Sequence, residues 1–357
     1  MVARLGGDEF AILHQGNTTR AELAEMAGRL IEAVSAPIII DGNAILPATS
    51  VGIAVSPDDG SSVADLLKNA DLALYSSKDG GRNRYSFFEP AMDEAARARR
   101  EMEMDIRAAL SRHELSLSYQ PLIDIETGHP VGYEALMRWN HPERGAISPT
   151  EFIPIAEETG LIVQLGEWVI REAIAEAATW PDHLSVSINL SPAQMRSPGL
   201  ISCIVNTLAQ TGVAANRVEL EITEGVLMQD SETNIAILHK LNDLGLSISL
   251  DDFGTGYSSL NYLRAFPFKK IKIDRCFVDG IDSRDDCRAI IQSVVQLAKS
   301  LGMTTTAEGV ERSSQLSQLN LEGCTQAQGF LFSKAVPASE LTDLSRPAEH
   351  LPRSHYV

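Results

Sequence analysis

Short apolar runs alternate with helical stretches from about residue 115 to residue 331, and this alternation restricts the fold more than any other feature. Such alternation predicts parallel strands joined by helices. Eight apolar runs in this length favour an α/β fold with a closed, TIM-like β/α barrel over an open sheet. The predicted strands are Leu115–Tyr119, Val131–Met137, Leu184–Ile188, Val218–Ile222, Leu246–Leu250, Ile271–Ile273, Thr304–Ala307 and Gly329–Leu331.

One connection in this series is too short to hold a helix. The join from the first predicted strand to the second is short, Asp124–Pro130, and has no helical pattern. Parallel neighbours need a crossover of about a dozen residues or more, whereas antiparallel neighbours do not. We therefore expect one strand to be antiparallel and the barrel to be irregular. The barrel domain is predicted to span residues 113–345, with a disordered tail at 346–357.

The N-terminal part of the chain follows a different pattern. Gly6-Gly7 separates Leu5 from the apolar run Phe10–Leu13, which predicts a hairpin with a glycine turn. We interpret residues 1–88 as part of an α+β domain. Residues 89–112 are rich in charge and carry an apolar residue every three or four positions. This spacing predicts an amphipathic helix, which either links the two domains or begins the barrel domain.

The charge balance argues against two classes of partner. The chain has 30 Lys and Arg residues against 48 Asp and Glu residues, a formal net charge of −18. Binding to a DNA or RNA polymer, or to an anionic membrane surface, would require a basic surface. No apolar run is long enough for a membrane segment. The four cysteines form no CxxC pair, a pattern typical of thiols in the reducing cytoplasm.

Polar side chains lie at or near the ends of nearly all the predicted barrel strands. These residues are Glu134, Asn189, Glu221, Glu224, Asp251, Asp252, Lys272, Glu308 and Gln328. The ends of successive barrel strands meet on one face, so we expect these side chains to converge there. Each residue taken alone has a simpler explanation as a helix cap or a surface charge. Chance does not readily place such residues at the ends of six or more strands.

A barrel mouth crowded with carboxylates needs positive charge, because like charges packed together are unfavourable. Divalent ions are the simplest source, and oxygen ligands favour hard ions such as Mg²⁺ or Mn²⁺. The adjacent pair Asp251-Asp252 suits two bridged ions, a standard arrangement for phosphoester cleavage. We therefore predict two divalent ions here, beside a mobile loop at Asp252–Ser259.

These residues belong to longer motifs, which are Tyr119-Gln120-Pro121, Glu134-Ala135-Leu136, Ile188-Asn189-Leu190-Ser191-Pro192, Glu221-Ile222-Thr223-Glu224, Asp251-Asp252-Phe253-Gly254-Thr255-Gly256, Lys272-Ile273-Asp274, Ala307-Glu308-Gly309-Val310-Glu311 and Gln328-Gly329-Phe330. Through this set of motifs the barrel resembles the EAL domain, the cyclic di-GMP phosphodiesterase family. The resemblance implies a hydrolase of bacterial second-messenger signalling that converts cyclic di-GMP to linear pGpG. It also implies a homodimer.

The resemblance further implies a role for each matching residue. The implied ligands of one metal ion are Glu134, Asn189, Glu221 and Asp251. Asp252 would help to hold a second ion, and Glu224 would anchor the mobile loop. Lys272 would orient the attacking water, and Glu308 would act on that water or on the second ion. Glu134, Lys272 and Glu308 together form the implied catalytic set. The implied substrate contacts are Gln120, Arg138 and Gln328.

The N-terminal segment resembles the rear half of a GGDEF domain, the diguanylate cyclase family. The matching residues are Gly6, Gly7, Asp8, Glu9, Lys78 and Arg82. The resemblance implies that Asp8 binds metal and that Lys78 and Arg82 contact phosphate. The front of that domain has no counterpart here, so we predict no cyclase activity for this chain. Two alternatives stay open: GTP binding at this remnant, and cyclase activity in a full-length form.

A rival hypothesis for the barrel is a cyclic di-GMP receptor that signals without turnover. Barrels of that kind lack some of the acidic residues, whereas this sequence lacks none of them. The enzyme is therefore the favoured interpretation.

Overall fold

The computed structural model describes residues 1–40, 43–228, 231–254, 263 and 265–341. The chain divides into two compact units, Met1–Met102 and the residues from Glu103 onward. The division falls inside the helix Pro90–Ala109, which forms where the sequence predicted a charged amphipathic helix. The predicted tail at 346–357 and most of the predicted loop at 252–259 lie outside the described residues.

The first unit combines two helices, Arg20–Val34 and Val63–Asp79, with short strands that pair two by two. The strands are β1 (Val2–Gly6), β2 (Glu9–Ile12), β3 (Ile38–Ile40), β4 (Asn43–Ile45), β5 (Val51–Ile53) and β6 (Tyr85–Phe87). β1 and β2 form the predicted antiparallel hairpin, with Gly7 in its turn at φ +53°, where glycine is not strained. β3 pairs with β4 antiparallel, and β5 pairs with β6 in parallel.

Several apolar side chains of this unit face solvent. Val2, Phe10 and Ile39 are 69%, 63% and 76% exposed. A strand pair normally packs one of its faces on a core. The unit therefore has α+β elements without a complete core, in agreement with the partial α+β domain that the sequence predicted.

Within the described part of the second unit, eight strands close into a barrel flanked by helices. The strands of this unit are β7 (Leu115–Asp124), β8 (Pro130–His141), β9 (Gly145–Ile147), β10 (Ser185–Asn189), β11 (Val218–Thr223), β12 (Ser247–Phe253), β13 (Lys270–Ile273), β14 (Thr304–Ala307), β15 (Gln326–Ala327) and β16 (Val336–Pro337). The barrel order is β7-β8-β10-β11-β12-β13-β14-β15, and β15 returns to β7. β9 and β16 extend the sheet beside β8 and β7.

The direction of the strands confirms the predicted irregularity of the barrel. β7 runs antiparallel to both of its barrel neighbours, β8 and β15. The remaining described pairs around the barrel are parallel. The antiparallel strand predicted from the short connection is therefore the first one.

The described helices from residue 149 onward are Pro149–Glu158, Ile162–Ala177, Pro192–Met195, Leu200–Thr211, Glu224–Met228, Ser231–Asp243, Arg275–Gly280, Asp285–Ser300 and Ser313–Glu322. Val218, Leu220 and Ile222 of β11 are fully buried in the core cluster that includes apolar residues of these helices. Because side chains alternate along a strand, the residues between them, Glu219 and Glu221, point to the barrel interior.

The predicted eighth strand, Gly329–Leu331, is wrong in position. The strand is Gln326–Ala327, and the chain turns directly after it. The backbone of Val310 exchanges hydrogen bonds with Gln328 and Leu331, and the amide of Phe332 bonds to the carbonyl of Gly329. A Cβ atom at residue 329 would lie 2.1 Å from the carbonyl oxygen of Val310, so this turn requires glycine.

Two smaller findings bear on the sequence predictions. Among the described helices, none is both long and apolar enough to cross a membrane. Cys203, Cys276, Cys287 and Cys324 are all free thiols.

Candidate active site

Four carboxylates surround the ammonium group of Lys272 inside the mouth of the barrel. The Lys272 Nζ atom lies 2.6 Å from Oε2 of Glu221 and 2.6 Å from Oε1 of Glu308. It lies 3.4 Å from Oδ1 of Asp251 and 3.5 Å from Oε2 of Glu134. The Lys272 side chain is 1% exposed. The structure thus brings together acids from β8, β11, β12 and the end of β14 around one cation.

Amide side chains hold both oxygens of Glu134. Asn189 Nδ2 donates to Oε1 at 2.6 Å, and Gln328 Nε2 donates to Oε2 at 2.7 Å. Gln328 Nε2 also lies 3.0 Å from Oε1 of Gln120, whose own Nε2 donates to the Ser333 carbonyl. Two of the residues predicted to contact substrate, Gln120 and Gln328, therefore belong to the network that orients Glu134.

A local irregularity of β12 turns adjacent carboxylates toward the same place. Neighbouring side chains on a regular strand point to opposite faces. The register of β12 against β13 shifts between Leu250 and Phe253, and Asp252 has φ +54°. Carboxylate oxygens of Asp251, Asp252 and Glu308 consequently all lie within 4.8 Å of one another. A backbone conformation that is rare outside glycine thus serves to gather three possible metal ligands.

Lys272 and the carboxylates around it shift one another's pKa values, and the shifts differ from one acid to the next. Burial disfavours the charged lysine, but the surrounding carboxylates outweigh burial and raise the pKa of Lys272 well above its ordinary value. Burial also acts to raise the pKa of Glu134, yet Lys272 and the hydrogen bonds from Gln328 and Asn189 reverse the effect. The pKa of Glu134 is therefore lowered from its ordinary value.

The remaining acids are not neutralised by this one cation. Burial raises the pKa of Glu221 well above its ordinary value, and Glu134 and Asp251 add to the rise against the opposing effect of Lys272. Burial raises the pKa of Glu308 to about 7, again with Lys272 opposing. One lysine cannot balance four close carboxylates, so protons or added cations must supply the rest.

The residues fit a divalent cation. In the described part of the chain, Oε1 of Glu221 is buried without a hydrogen-bond partner, as is Oε1 of Gln328. The available donors at the cluster are carboxylate and amide oxygens, which hard ions prefer. An acidic cluster with excess negative charge and unused buried oxygens is a candidate metal centre.

An open cavity of about 360 Å³ gives access to this cluster. It is lined by Gln120, Glu134, Leu136, Asn189, Asp251, Lys272, Arg275, Glu308, Gly309, Glu311, Gln328, Gly329 and Phe330. No role was predicted from the sequence for Arg275, Glu311 or Phe330. Nη2 of Arg275 lies 3.1 Å from Oε1 of Glu311 across the rim of the cavity. Their proximity in sequence could have indicated a place at the site, because each of the three lies within three residues of a predicted site residue.

Four predicted residues are not part of the cavity lining: Glu221 and Asp252, which belong to the acidic cluster, and Arg138 and Glu224, which lie outside it. Arg138 shares the β8 face of Glu134 and Leu136, which lie four and two positions before it, and its Nη1 donates to the Met137 carbonyl at 2.9 Å. Glu224 is buried at the start of the helix Glu224–Met228. Its predicted partner, the loop after Asp252, lies mostly outside the described residues.

The residues singled out in the N-terminal unit do not form a comparable cluster. Gly6, Gly7, Asp8 and Glu9 lie on the exposed hairpin of β1 and β2. Lys78 is exposed near the end of the helix Val63–Asp79, and Arg82 follows it at φ +58°. No hydrogen bond or ion pair among the described residues joins Asp8 to Lys78 or to Arg82. Their predicted metal and phosphate contacts remain predictions.

Known proteins share both the sequence and the fold of this chain. It is 41% identical over 344 residues to the bifunctional diguanylate cyclase/cyclic di-GMP phosphodiesterase MucR of Pseudomonas aeruginosa, covering 95% of this chain and 50% of MucR. It is 38% identical over 350 residues to the cyclic di-GMP phosphodiesterase NbdA of the same organism, covering 97% of this chain and 45% of NbdA. The chain thus spans about half the length of these curated relatives.

A solved structure gives the same result for the barrel. The phosphodiesterase part of Pseudomonas aeruginosa MucR in complex with c-di-GMP superposes with a TM-score of 0.65 at 41% identity, covering 68% of this chain and 99% of that one. Residues 103–335 match the EAL domain model, and residues 1–84 match the model of the diguanylate cyclase GGDEF domain. The chain therefore belongs to the EAL domain family, with a GGDEF-family segment before the barrel.

Proposed function

We propose that the barrel hydrolyses cyclic di-GMP to linear pGpG in a reaction that depends on divalent metal. The observation that carries this proposal is the acidic cluster around Lys272, at the base of a cavity in an EAL barrel. A phosphodiesterase structure 41% identical to this chain is a complex with c-di-GMP. The same ligand is therefore the substrate that we infer for this cavity.

Mg²⁺ or Mn²⁺ ions are the cofactors that the donor set favours. We assign Glu134, Asn189, Glu221 and Asp251 to one ion, and Asp252 with Glu308 to a second. When bound, the ions would polarise the phosphodiester and offset its negative charge. The irregular strand at Asp251 and Asp252 supports two neighbouring ions, because it turns both carboxylates toward Glu308.

The chain's own residues supply the orientation and the proton transfer. Lys272 is buried and keeps its proton, so its Nζ can donate hydrogen bonds and orient a water molecule beside Glu308. Glu308 has a pKa raised to about 7, which lets its carboxylate accept a proton near neutral pH. We assign the phosphate contact to Arg138, whose planar guanidinium matches phosphate oxygens. Gln120 and Gln328 hold Glu134 and border the substrate cavity.

The test is to incubate the purified chain with cyclic di-GMP and Mg²⁺ and to follow pGpG by chromatography and mass spectrometry. We expect pGpG to form with Mg²⁺ or Mn²⁺ and to stop with EDTA. Glu134→Gln, which keeps the shape of a ligand but removes its charge, is the matched inactive control. Tight binding of cyclic di-GMP without any pGpG would support the receptor instead and overturn the enzyme.

Three further expectations accompany this proposal. We expect a homodimer, which sedimentation of the purified chain will test. We expect a cytoplasmic location, because the chain carries four free thiols. We expect no cyclase activity from the GGDEF segment. A change in the kinetics of cyclic di-GMP hydrolysis on addition of GTP would reveal a regulatory role for Asp8, Lys78 and Arg82.

A further inference from the structure

A second, separate ion pair lies inside the barrel beneath the active-site cluster. Lys270 Nζ lies 2.8 Å from Oε1 of Glu219, and the two side chains are 6% and 8% exposed. Ser187, which is fully buried, donates to the same Glu219 oxygen at 3.1 Å. Neither Lys270 nor Glu219 lines the cavity. This pair therefore has no access to a substrate in that cavity.

The Lys270–Glu219 pair resembles the Lys272–Glu221 pair of the active site, which lies two residues further along the same two strands. Glu219 and Glu221 lie two residues apart on β11, and Lys270 and Lys272 lie two residues apart on β13. β12 separates these strands in the barrel, so both ion pairs span the interior. Ser249 of β12, which pairs in register with Glu221 on one side and with Lys270 on the other, is buried and has a small side chain.

The two lysines differ in the number of acids that they contact. Within the described residues, Lys270 has one carboxylate within ion-pair distance, Glu219, whereas Lys272 has four. A buried carboxylate without a cation is strongly unfavourable, so Glu219 would otherwise attract another ammonium inside the barrel. The Lys272 ammonium lies 2.6 Å from Glu221, which is two residues from Glu219 on β11.

We propose that Lys270 is a positioning residue that neutralises Glu219 and thereby leaves Lys272 to the active-site carboxylates. This inference rests on the proposed phosphodiesterase function. Loss of Lys270 would let Glu219 draw the Lys272 ammonium down the barrel, away from Glu308. The reaction would slow because Lys272 could no longer orient the water. Metal binding would not weaken, because the interior would carry one more uncompensated negative charge.

The experiment is a double-mutant cycle on the full chain with Lys270→Met and Glu219→Gln. For Lys270→Met we expect kcat to fall about tenfold or more, in the range typical of residues just outside a metal site, with KM for cyclic di-GMP within about twofold. Adding Glu219→Gln removes the competing charge, so the double variant should recover to within about threefold of wild type. Lys269→Met, an exposed neighbour, is the matched control and should keep wild-type kcat.

Mn²⁺ affinity, measured by electron paramagnetic resonance, separates this role from a merely structural one. We expect Lys270→Met to bind Mn²⁺ at least as tightly as wild type, whereas a disordered core would bind it more weakly. Wild-type kcat in Lys270→Met, or a double variant no more active than Lys270→Met, overturns the proposal. If Lys270→Met does not fold, the Glu219→Gln variant alone provides the test. We expect Glu219→Gln to lower kcat, because Lys270 then competes with Lys272 for Glu221. An unchanged kcat in Glu219→Gln again overturns the proposal.

The same measurements distinguish failure of this inference from failure of the proposed function. A wild-type chain that makes no pGpG contradicts the phosphodiesterase assignment. In that case the Mn²⁺ affinity still tests the positioning role of Lys270, because Mn²⁺ should bind more tightly to Lys270→Met than to the double variant. Equal affinity in both variants would then refute it.

Discussion

Replacement of Lys272 by methionine tests whether one buried cation holds the acidic cluster together. The methionine side chain keeps most of the volume but leaves Glu134, Glu221, Asp251 and Glu308 without the ammonium that contacts all four. Removal of one partner from a buried ion pair typically lowers the free energy of unfolding by about 3–5 kcal/mol. We expect a loss of this size for the metal-free chain at pH 8.

The loss should depend on pH with a definite sign. The pKa of Glu308 is already raised from 4.5 to about 7 in the presence of Lys272. A carboxyl whose pKa is raised by folding favours the folded state at low pH, and this contribution is lost as the pH rises from 4.5 through about 7. At about 1.4 kcal/mol per unit, that span amounts to about 3 kcal/mol. Lys272→Met should therefore cost less than half as much at pH 5.5 as at pH 8, because Glu308, whose pKa is raised to about 7, holds a proton at pH 5.5.

Urea unfolding followed by tryptophan fluorescence measures this effect on the barrel alone. The chain's three tryptophans, Trp139, Trp168 and Trp180, all lie in the second unit. Mg²⁺ at a hundredfold excess over its dissociation constant should restore about 3 kcal/mol, because it replaces the missing charge. The exposed Lys269→Met control should stay within about 0.5 kcal/mol of wild type. A Lys272→Met loss that is equal at both pH values and unaffected by Mg²⁺ would refute the charge-balance argument.

Four further outcomes are expected of the site. Glu134→Ala should abolish hydrolysis while the chain stays folded, because the change removes a metal ligand and little core; full activity with cyclic di-GMP would refute the metal scheme. Asp251→Asn should raise the Mg²⁺ concentration for half-maximal activity about tenfold, as titration of activity with Mg²⁺ will show. Arg138→Lys should raise KM about tenfold with a smaller effect on kcat, because lysine lacks the planar fork; an unchanged KM would exclude the phosphate contact. Mg²⁺ affinity by calorimetry should increase between pH 6 and pH 8 as Glu308 loses its proton, and Glu308→Gln should flatten this dependence.

Much of the fold was predictable because it depends on local patterns. Strand and helix alternation placed seven of the eight barrel strands, and the short Asp124–Pro130 connection predicted that one strand is antiparallel. The eighth was misplaced because β15 is only two residues long, whereas Gly329–Leu331 is more apolar but is turned by its bonds to Val310. Hydrophobic pattern alone cannot distinguish such a turn from a strand.

The sequence by itself determined which residues reach the mouth of the barrel, since side-chain alternation along a strand places Glu134, Glu221 and Lys272 at interior positions near the same end. Tertiary structure alone decided how they meet. Lys272 contacts Glu134 across 138 residues of chain, a contact that depends on strand order and register. The φ of +54° at Asp252 overrides the alternation that would have turned that acid away. The Lys270–Glu219 pair likewise joins two strands that are neighbours neither in sequence nor in the sheet, because β12 lies between β11 and β13 and the pairing of both strands with β12 sets which inner side chains meet.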